Sequence, residues 1–140
     1  MKTTTSRVVI RAAANSVWNA LTRPELVKKW QYNSDLTTDW QEGGPIEFRN
    51  EWNGQLFLQT GTILEVVAPR LLRYSLFVPR PGLEDRPENR FVMSYRLDER
   101  AGSTELTIVQ EDPREPADVD ETGDANNPVL QALKKLVEKG

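Results

Sequence analysis

Two tyrosines and two amide side chains are the residues of this sequence best suited to binding chemistry. Tyr74 and Tyr95 stand in segments of alternating apolar and polar residues, on the apolar face, and Asn50 and Gln110 hold equivalent positions in two further segments. A tyrosine combines a large apolar ring with one hydroxyl, and an uncharged amide on an apolar face needs polar partners. We expect these side chains either to pair with each other or with backbone groups in a packed core, or to orient the polar end of a small bound molecule.

The composition leaves few side chains for catalysis. The chain of 140 residues has no histidine and no cysteine, which excludes serine–histidine and cysteine–histidine nucleophiles, disulfides and thiolate metal sites. Carboxylates remain, but Glu47 and Glu51 share the polar face of their segment with Arg49, and no Asp or Glu is expected on an inner face. Because a buried carboxylate of raised pKa is the usual acid–base device, we expect a protein that is not an enzyme and has no cofactor.

Charge is spread evenly except in one acidic stretch. The net charge is −3, and residues 111–124 hold seven acids and one arginine. Without a basic excess, neither nucleic acid nor an anionic membrane is an expected partner. In the acidic stretch the glycine and the final glutamate do not stand at the positions that a calcium-binding EF-hand loop requires, so no metal is expected. There is neither an apolar run of about 20 residues nor a signal peptide, so we expect no membrane insertion and a cytoplasmic location.

The first third of the chain predicts one strand and two short helices. Residues 5–12 alternate, with Val8 and Ile10 on one face. Asn15 or Ser16 is expected to cap the first helix. Thr22-Arg23-Pro24-Glu25 has the spacing of a capping box, and it predicts a second helix from about Pro24 to Trp30.

A two-residue period from residue 34 onward predicts five or six antiparallel strands. Turn signals separate them at Gly43-Gly44-Pro45, Asn53-Gly54, Ala68-Pro69-Arg70 and Ala101-Gly102. Gly61 predicts a bulge or bend inside the strand over 56–67. Residues 79–90 and 112–127 are rich in proline, glycine and charge, and they predict mobile loops.

The last segment predicts an amphipathic helix that covers the sheet. Its apolar residues recur on one helical face: Val129, Leu130, Leu133, Leu136 and Val137. The order of elements predicts an α+β fold in which helices lie on one face of a curved antiparallel sheet. Nine side chains are expected to line or close the space between the sheet and this helix: Trp30, Phe48, Asn50, Trp52, Tyr74, Leu76, Tyr95, Gln110 and Leu133.

Short sequence words occur in a fixed order along nearly the whole chain. They are ANSVWNALT over 14–22, PEL over 24–26 with Trp30, Gly43-Gly44, GTILEV over 61–66 with Pro69, SYRL over 94–97 and GSTELTI over 102–108. This ordered set resembles the START-like (SRPBCC) superfamily with the helix-grip fold, and within it the family named after the C-terminal domain of the activator of heat-shock protein 90 ATPase. The resemblance implies one domain over 1–140, with two short helices after the first strand and six or seven strands wrapped round a C-terminal helix.

The chain departs from the family pattern at two places near the expected cavity. The family often opens its terminal helix with a glycine-tryptophan word, where this chain has Asn126-Asn127-Pro128-Val129, and it often has a histidine where Gln110 falls. The identity of a ligand therefore does not transfer from the family to this chain.

Three functions are compatible with the sequence. We favour non-catalytic binding of a small, largely apolar or amphipathic molecule in a cavity between the sheet and the C-terminal helix, with apolar burial supplying about 25 cal/mol per Å². The resemblance also implies a module that interacts with a chaperone and stimulates its ATPase. The wider superfamily includes cyclases and enzymes that modify aromatic compounds, but only tyrosine, arginine or bound water could serve such a reaction here.

Overall fold

The computed structural model describes residues 2–30, 35–52, 54–77, 84, 86, 89–112, 119–122 and 128–139. These residues form one eight-stranded sheet and three helices. In chain order the elements are β1 (Lys2–Ile10), α1 (Ala14–Thr22), α2 (Pro24–Trp30), β2 (Asp35–Thr38), β3 (Pro45–Trp52), β4 (Gln55–Val67), β5 (Leu71–Phe77), β6 (Phe91–Arg100), β7 (Ser103–Asp112), β8 (Val119–Thr122) and α3 (Pro128–Lys139). Among the described helices, none is both long and apolar enough to cross a membrane.

The strands form a curved sheet in the order β2-β3-β4-β5-β6-β7-β1-β8. Seven strands pair antiparallel, and β8 runs parallel to β1. All three helices contact one another on the inner side of the sheet, and α3 also contacts β1. The α+β helix-grip fold is therefore confirmed.

Alternation along the strands decides which side chains enter the core. In β1, Val8 and Ile10 are 6% and 0% exposed, whereas Val9 between them is 53% exposed. The strand begins at Lys2 rather than at residue 5 and ends at Ile10 rather than at residue 12. Its threonine-rich start has no apolar alternation, and it becomes a strand because it pairs with β7 on one side and β8 on the other.

The cap of α1 comes from a distant strand. Ala13 is the N-cap and makes no side-chain cap bond, so the cap expected at Asn15 or Ser16 is wrong. Instead, the Ala14 amide donates to the carboxylate of Glu99 in β6 at 2.5 Å. No local pattern predicts such a contact, because the partners meet only when the sheet has formed.

The capping box expected at Thr22-Arg23-Pro24-Glu25 is also wrong. The Thr22 hydroxyl donates to the carbonyl of Trp18 at 2.7 Å, within the last turn of α1. The predicted bounds of α2, Pro24 to Trp30, are nevertheless confirmed, because Pro24 suits a first helical turn without a side-chain cap.

The bulge expected inside β4 is confirmed, because the register of β4 against β5 shifts between Ile63 and Glu65. It does not lie at Gly61, which has a different role. At Gly61 the two strands approach so closely that a Cβ atom would lie 1.6 Å from the Ser75 carbonyl oxygen. Glycine is required there because any side chain would displace the backbone of β5.

The loop expected over 112–127 is partly wrong. Asp112 belongs to β7, and Val119–Thr122 forms β8 beside Lys2–Thr5. A parallel contact between distant segments leaves no local signal in the sequence. The other residues of 112–127 lie outside the described residues, as does most of the loop over 79–90, so their mobility stays a prediction.

Hydrogen bonds connect the C-terminal half of α3 to the end of β1. Lys134 Nζ donates to the Val9 carbonyl at 2.8 Å, and the Glu138 carboxylate accepts from the Arg11 amide at 2.8 Å. A hydrogen bond from Lys134, together with that from the Arg11 amide, holds the pKa of Glu138 below its usual value. These contacts place α3 across the inner face of the sheet.

Candidate binding site

Five side chains on the inner face of β1, β6 and β7 form a contiguous, half-buried group that we call the inner patch. They are Thr4, Ser6, Met93, Ile108 and Gln110. The register joins them, because Ser6 is opposite Ile108, Thr4 is opposite Gln110, and Gln110 is opposite Met93. Met93 and Ile108 pack against the hydrophobic core without being enclosed by it.

The inner face beside the patch is densely packed. Leu106 and Leu72 are 0% and 1% exposed, and Leu133 of α3 is 0% exposed. Leu106 lies on the same strand and the same face as Ile108, two residues away. The boundary between enclosed and accessible side chains therefore crosses β7 between these two positions.

A row of three aromatic rings borders the inner patch. The ring centres of Phe48 and Tyr74 are 5.9 Å apart, and those of Tyr74 and Tyr95 are 5.8 Å apart. The two tyrosine hydroxyl oxygens lie 3.0 Å apart and form a hydrogen bond. Tyr74 and Tyr95 are 3% and 5% exposed, so both hydroxyls are buried polar groups at the edge of the patch.

Burial keeps both phenols protonated. It raises the pKa of Tyr74 well above its usual value, and the charge and hydrogen bond of Tyr95 raise it further. Burial also raises the pKa of Tyr95, although the hydrogen bond from Tyr74 opposes this shift. At neutral pH the pair therefore consists of two neutral hydroxyls that can donate as well as accept.

The structure brings together four of the nine predicted site residues. Phe48, Tyr74 and Tyr95 form the aromatic row, and Gln110 lies in the inner patch. Asn50 is half-buried on β3, in register with Phe57. It therefore lies outside the inner patch, which is formed by β1, β6 and β7.

Three further predicted residues belong to the packed core. Leu76 and Leu133 are buried members of the core cluster. Trp30 is 5% exposed, and its indole N–H donates to the Ala20 carbonyl at 2.7 Å. It therefore ties α2 to α1, and its expected role in closing the cavity stays a prediction. The side chain of Trp52 lies outside the described residues.

The expectation that no acid lies on the inner face is wrong. Asp112 continues the inward series of Leu106, Ile108 and Gln110 along β7, and it is 7% exposed. The composition from residue 112 onward predicts a loop and gives no signal for this strand position. Thr4 and Ser6 are polar and do not mark an inner face by themselves, although the alternation of Val8 and Ile10 extends backwards to both.

The outer face of the sheet has a different chemistry. An open hollow of about 600 Å³ lies there, lined by charged side chains of both signs. Arg73 within it lies 3.8 Å from the Glu65 carboxylate and donates to Ser94 Oγ at 3.2 Å. In the parts of the chain that the structure describes, no three His, Cys, Asp or Glu side chains are grouped closely enough to hold a metal ion.

Solved structures of similar proteins cover nearly the whole chain. The solution structure of ChR145 from Cytophaga hutchinsonii is 28% identical, with a TM-score of 0.74, and the match covers 98% of this chain and 94% of that one. CV1439 from Chromobacterium violaceum is 24% identical, with a TM-score of 0.69 and coverage of 97% and 96%. The Aha1 dimer from Colwellia psychrerythraea is 18% identical, with a TM-score of 0.69 and full coverage of both chains at 100%. The last two likenesses show the fold alone.

A comparison with curated proteins found no match. A family model, described as activator of Hsp90 ATPase homolog 1-like protein, matches residues 11–138. This range runs from the end of β1 to the last turn of α3, and it includes the aromatic row and most of the inner patch. The chain belongs to the family of activator of Hsp90 ATPase homolog 1-like proteins.

Proposed function

We propose that the protein binds a small, largely apolar molecule on the inner patch, between the sheet and α3, without transforming it. The observation that carries the proposal is the partial exposure of Met93 and Ile108 on a face where Leu72 and Leu106 are enclosed. Apolar surface removed from water contributes about 25 cal/mol per Å². A molecule that covers these two side chains would remove their remaining exposed apolar surface from water.

The polar members of the patch support the same proposal. Thr4, Ser6 and Gln110 surround the two apolar side chains with hydroxyl and amide groups. Apolar and aromatic side chains beside a few convergent polar groups are typical of small-molecule sites, and the aromatic row adds three rings to the two apolar side chains of the patch. Such groups can orient one polar end of a ligand while the patch covers its apolar body.

The non-catalytic part of the proposal rests on the side chains of the inner patch itself. Its five residues offer hydroxyl, amide and apolar groups, and none of them is an acid or a base. Acid–base enzymes use two titratable groups whose environments separate their pKa values. We also propose that the protein works in the cytoplasm, which fractionation of cells expressing it would test.

A pair of variants on adjacent residues tests the binding site. Ile108→Phe fills the patch, whereas Val109→Phe places the same ring on the outer face of the same strand. Titration with Nile red, a neutral apolar dye, should show unchanged affinity for Val109→Phe and at least about tenfold weaker binding for Ile108→Phe. Equal affinities of Ile108→Phe and the unmodified protein, with the fold intact by circular dichroism, would overturn the proposal.

Native mass spectrometry of the purified protein extends this test to natural ligands. We expect a co-purifying small molecule on the unmodified protein and on Val109→Phe, and its loss from Ile108→Phe. Capture of the resident chaperone in a pull-down, with no small molecule bound to any of the three proteins, would favour the chaperone-interacting module instead.

A further inference from the structure

We infer that the molecule bound at the inner patch is uncharged and carries an acceptor oxygen of the carbonyl type, which receives a hydrogen bond from the Tyr74–Tyr95 hydroxyl pair. This inference rests on the proposed function, since it names the chemical class of ligand for the same site. It follows from the count of donors in the pair, from the position of the pair beside the patch, and from the neutrality of the five patch side chains.

The hydroxyl pair has one more donor than it uses. Two phenols carry two protons, and the 3.0 Å contact between Tyr74 and Tyr95 employs one of them. The hydroxyl that accepts this bond keeps its own proton, and among the described residues neither hydroxyl has another hydrogen-bond partner. Because buried polar groups are nearly always paired, a ligand oxygen is well suited to take this proton.

The strand register places the pair within reach of a ligand on the patch. Tyr95 is directly opposite Ile108, and Tyr74 is directly opposite Met93. Both tyrosines are enclosed, while Ile108 and Met93 are half-buried. A molecule that covers Ile108 and Met93 therefore lies next to the two rings and can direct an oxygen towards their hydroxyls.

The inner patch disfavours an anionic ligand. None of its five side chains is charged, and the next register pair on this face joins residues of opposite charge, Lys2 and Asp112. The phenols themselves stay neutral, because burial raises the pKa of both. A carboxylate would lose its hydration without gaining a counter-charge, whereas a ketone oxygen needs only one donor.

Three probe molecules that share one bicyclic ring system test the acceptor oxygen and the negative charge separately. 1-Tetralone carries a neutral acceptor, tetralin has the same bicyclic ring without oxygen, and 1,2,3,4-tetrahydro-1-naphthoate is an anion. Calorimetric titration of the full chain should show 1-tetralone binding about five- to tenfold more tightly than tetralin, and at least about tenfold more tightly than the carboxylate.

Phenylalanine variants test whether the hydroxyl pair causes the preference for the ketone. Tyr74→Phe and Tyr95→Phe each leave one hydroxyl whose proton is free to donate, so both should keep a preference for the ketone. The double variant should bind tetralin normally and lose the preference, a change in ratio that a merely structural role would not produce. Binding of tetralin by the double variant also reports that its patch is intact.

The outcomes distinguish failure of this inference from failure of the proposed function. If 1-tetralone and tetralin bind the unmodified protein equally, or if the double variant keeps the preference, the inference is overturned and the proposed function stands. If no neutral probe binds at all, the proposed function fails with it. Should the double variant not fold, the ratio of affinities in the unmodified protein still decides.

Discussion

The backbone amide of Ala14 and the carboxylate of Glu99 are joined by a hydrogen bond of 2.5 Å across 85 positions of sequence. The contact satisfies one of the amide groups that every helix leaves unpaired at its start. It also sets a negative charge against the positive end of the α1 dipole. A strand side chain thereby fixes the first helix on the sheet.

Removal of this contact should destabilise the protein measurably. Glu99→Ala is expected to lower the free energy of unfolding by about 1 kcal/mol, the usual loss when a helix cap is removed. Asp98→Ala is the matched control, because Asp98 is exposed and pairs only with Arg100 at 3.1 Å among the described residues. Urea unfolding of both variants checks this, and an equal loss in the two would contradict the capping role.

A methyl group at Gly61 should be poorly tolerated. Gly61→Ala is expected to cost about 3 kcal/mol or more, at or beyond the usual range for overpacking, because the new Cβ would meet backbone rather than a movable side chain. Gly54→Ala meets open space and has only the strain of a φ of +75°, for which about 1 kcal/mol is expected. Thermal or urea unfolding would disprove the close approach if Gly61→Ala were the milder change.

Two isoleucine-to-alanine variants should lose different amounts of stability, because one isoleucine is enclosed and the other is not. Ile63 is 0% exposed, so Ile63→Ala should cost about 2–5 kcal/mol through lost burial and a new cavity. Ile108 is half-buried at the patch, and Ile108→Ala should cost less than half as much, because fewer packed neighbours are lost. Equal losses in chemical denaturation would mean that Ile108 lies in solid core.

The buried phenols should make stability fall in alkaline solution. The unfolded tyrosines ionise near their usual pKa of 10.0, while burial raises the folded-state pKa of Tyr74 and Tyr95. Their contribution is therefore constant below about pH 10 and declines as the pH rises from there towards the folded-state values. Urea unfolding between about pH 9 and 11 should show a smaller decline for the Tyr74→Phe/Tyr95→Phe double variant, and identical declines would contradict the burial of the pair.

Much of the fold follows from local patterns in the sequence. Alternation with one wet face correctly predicts the inward side chains of β3, β5, β6 and β7, including Phe48, Tyr74 and Tyr95. The bounds of α2 follow from Pro24 and the apolar spacing. Because side chains on a strand point alternately to its two faces, an alternating apolar pattern directly predicts which side chains face the core.

The remaining features depend on which distant segments meet. The role of Glu99 as a cap, the parallel β8 and the need for glycine at position 61 arise only from contacts between strands and helices that are far apart in the chain. The site shows the same limit, because alternation treats Leu106 and Ile108 alike. Leu106 is nevertheless enclosed and Ile108 is accessible, a difference that depends on tertiary packing.

The isoleucines of this chain provide the most direct test of the binding site. There are four, and three of them, Ile10, Ile46 and Ile63, are at most 1% exposed, while Ile108 is half-buried. Methyl NMR of isoleucine- and methionine-labelled protein during titration with 1-tetralone should shift the signals of Ile108 and Met93 and leave those of Ile10 and Ile46 in place. Unchanged signals from Ile108 and Met93 at saturating probe, or equal shifts at Ile10 and Ile46, would contradict a ligand site on the inner patch.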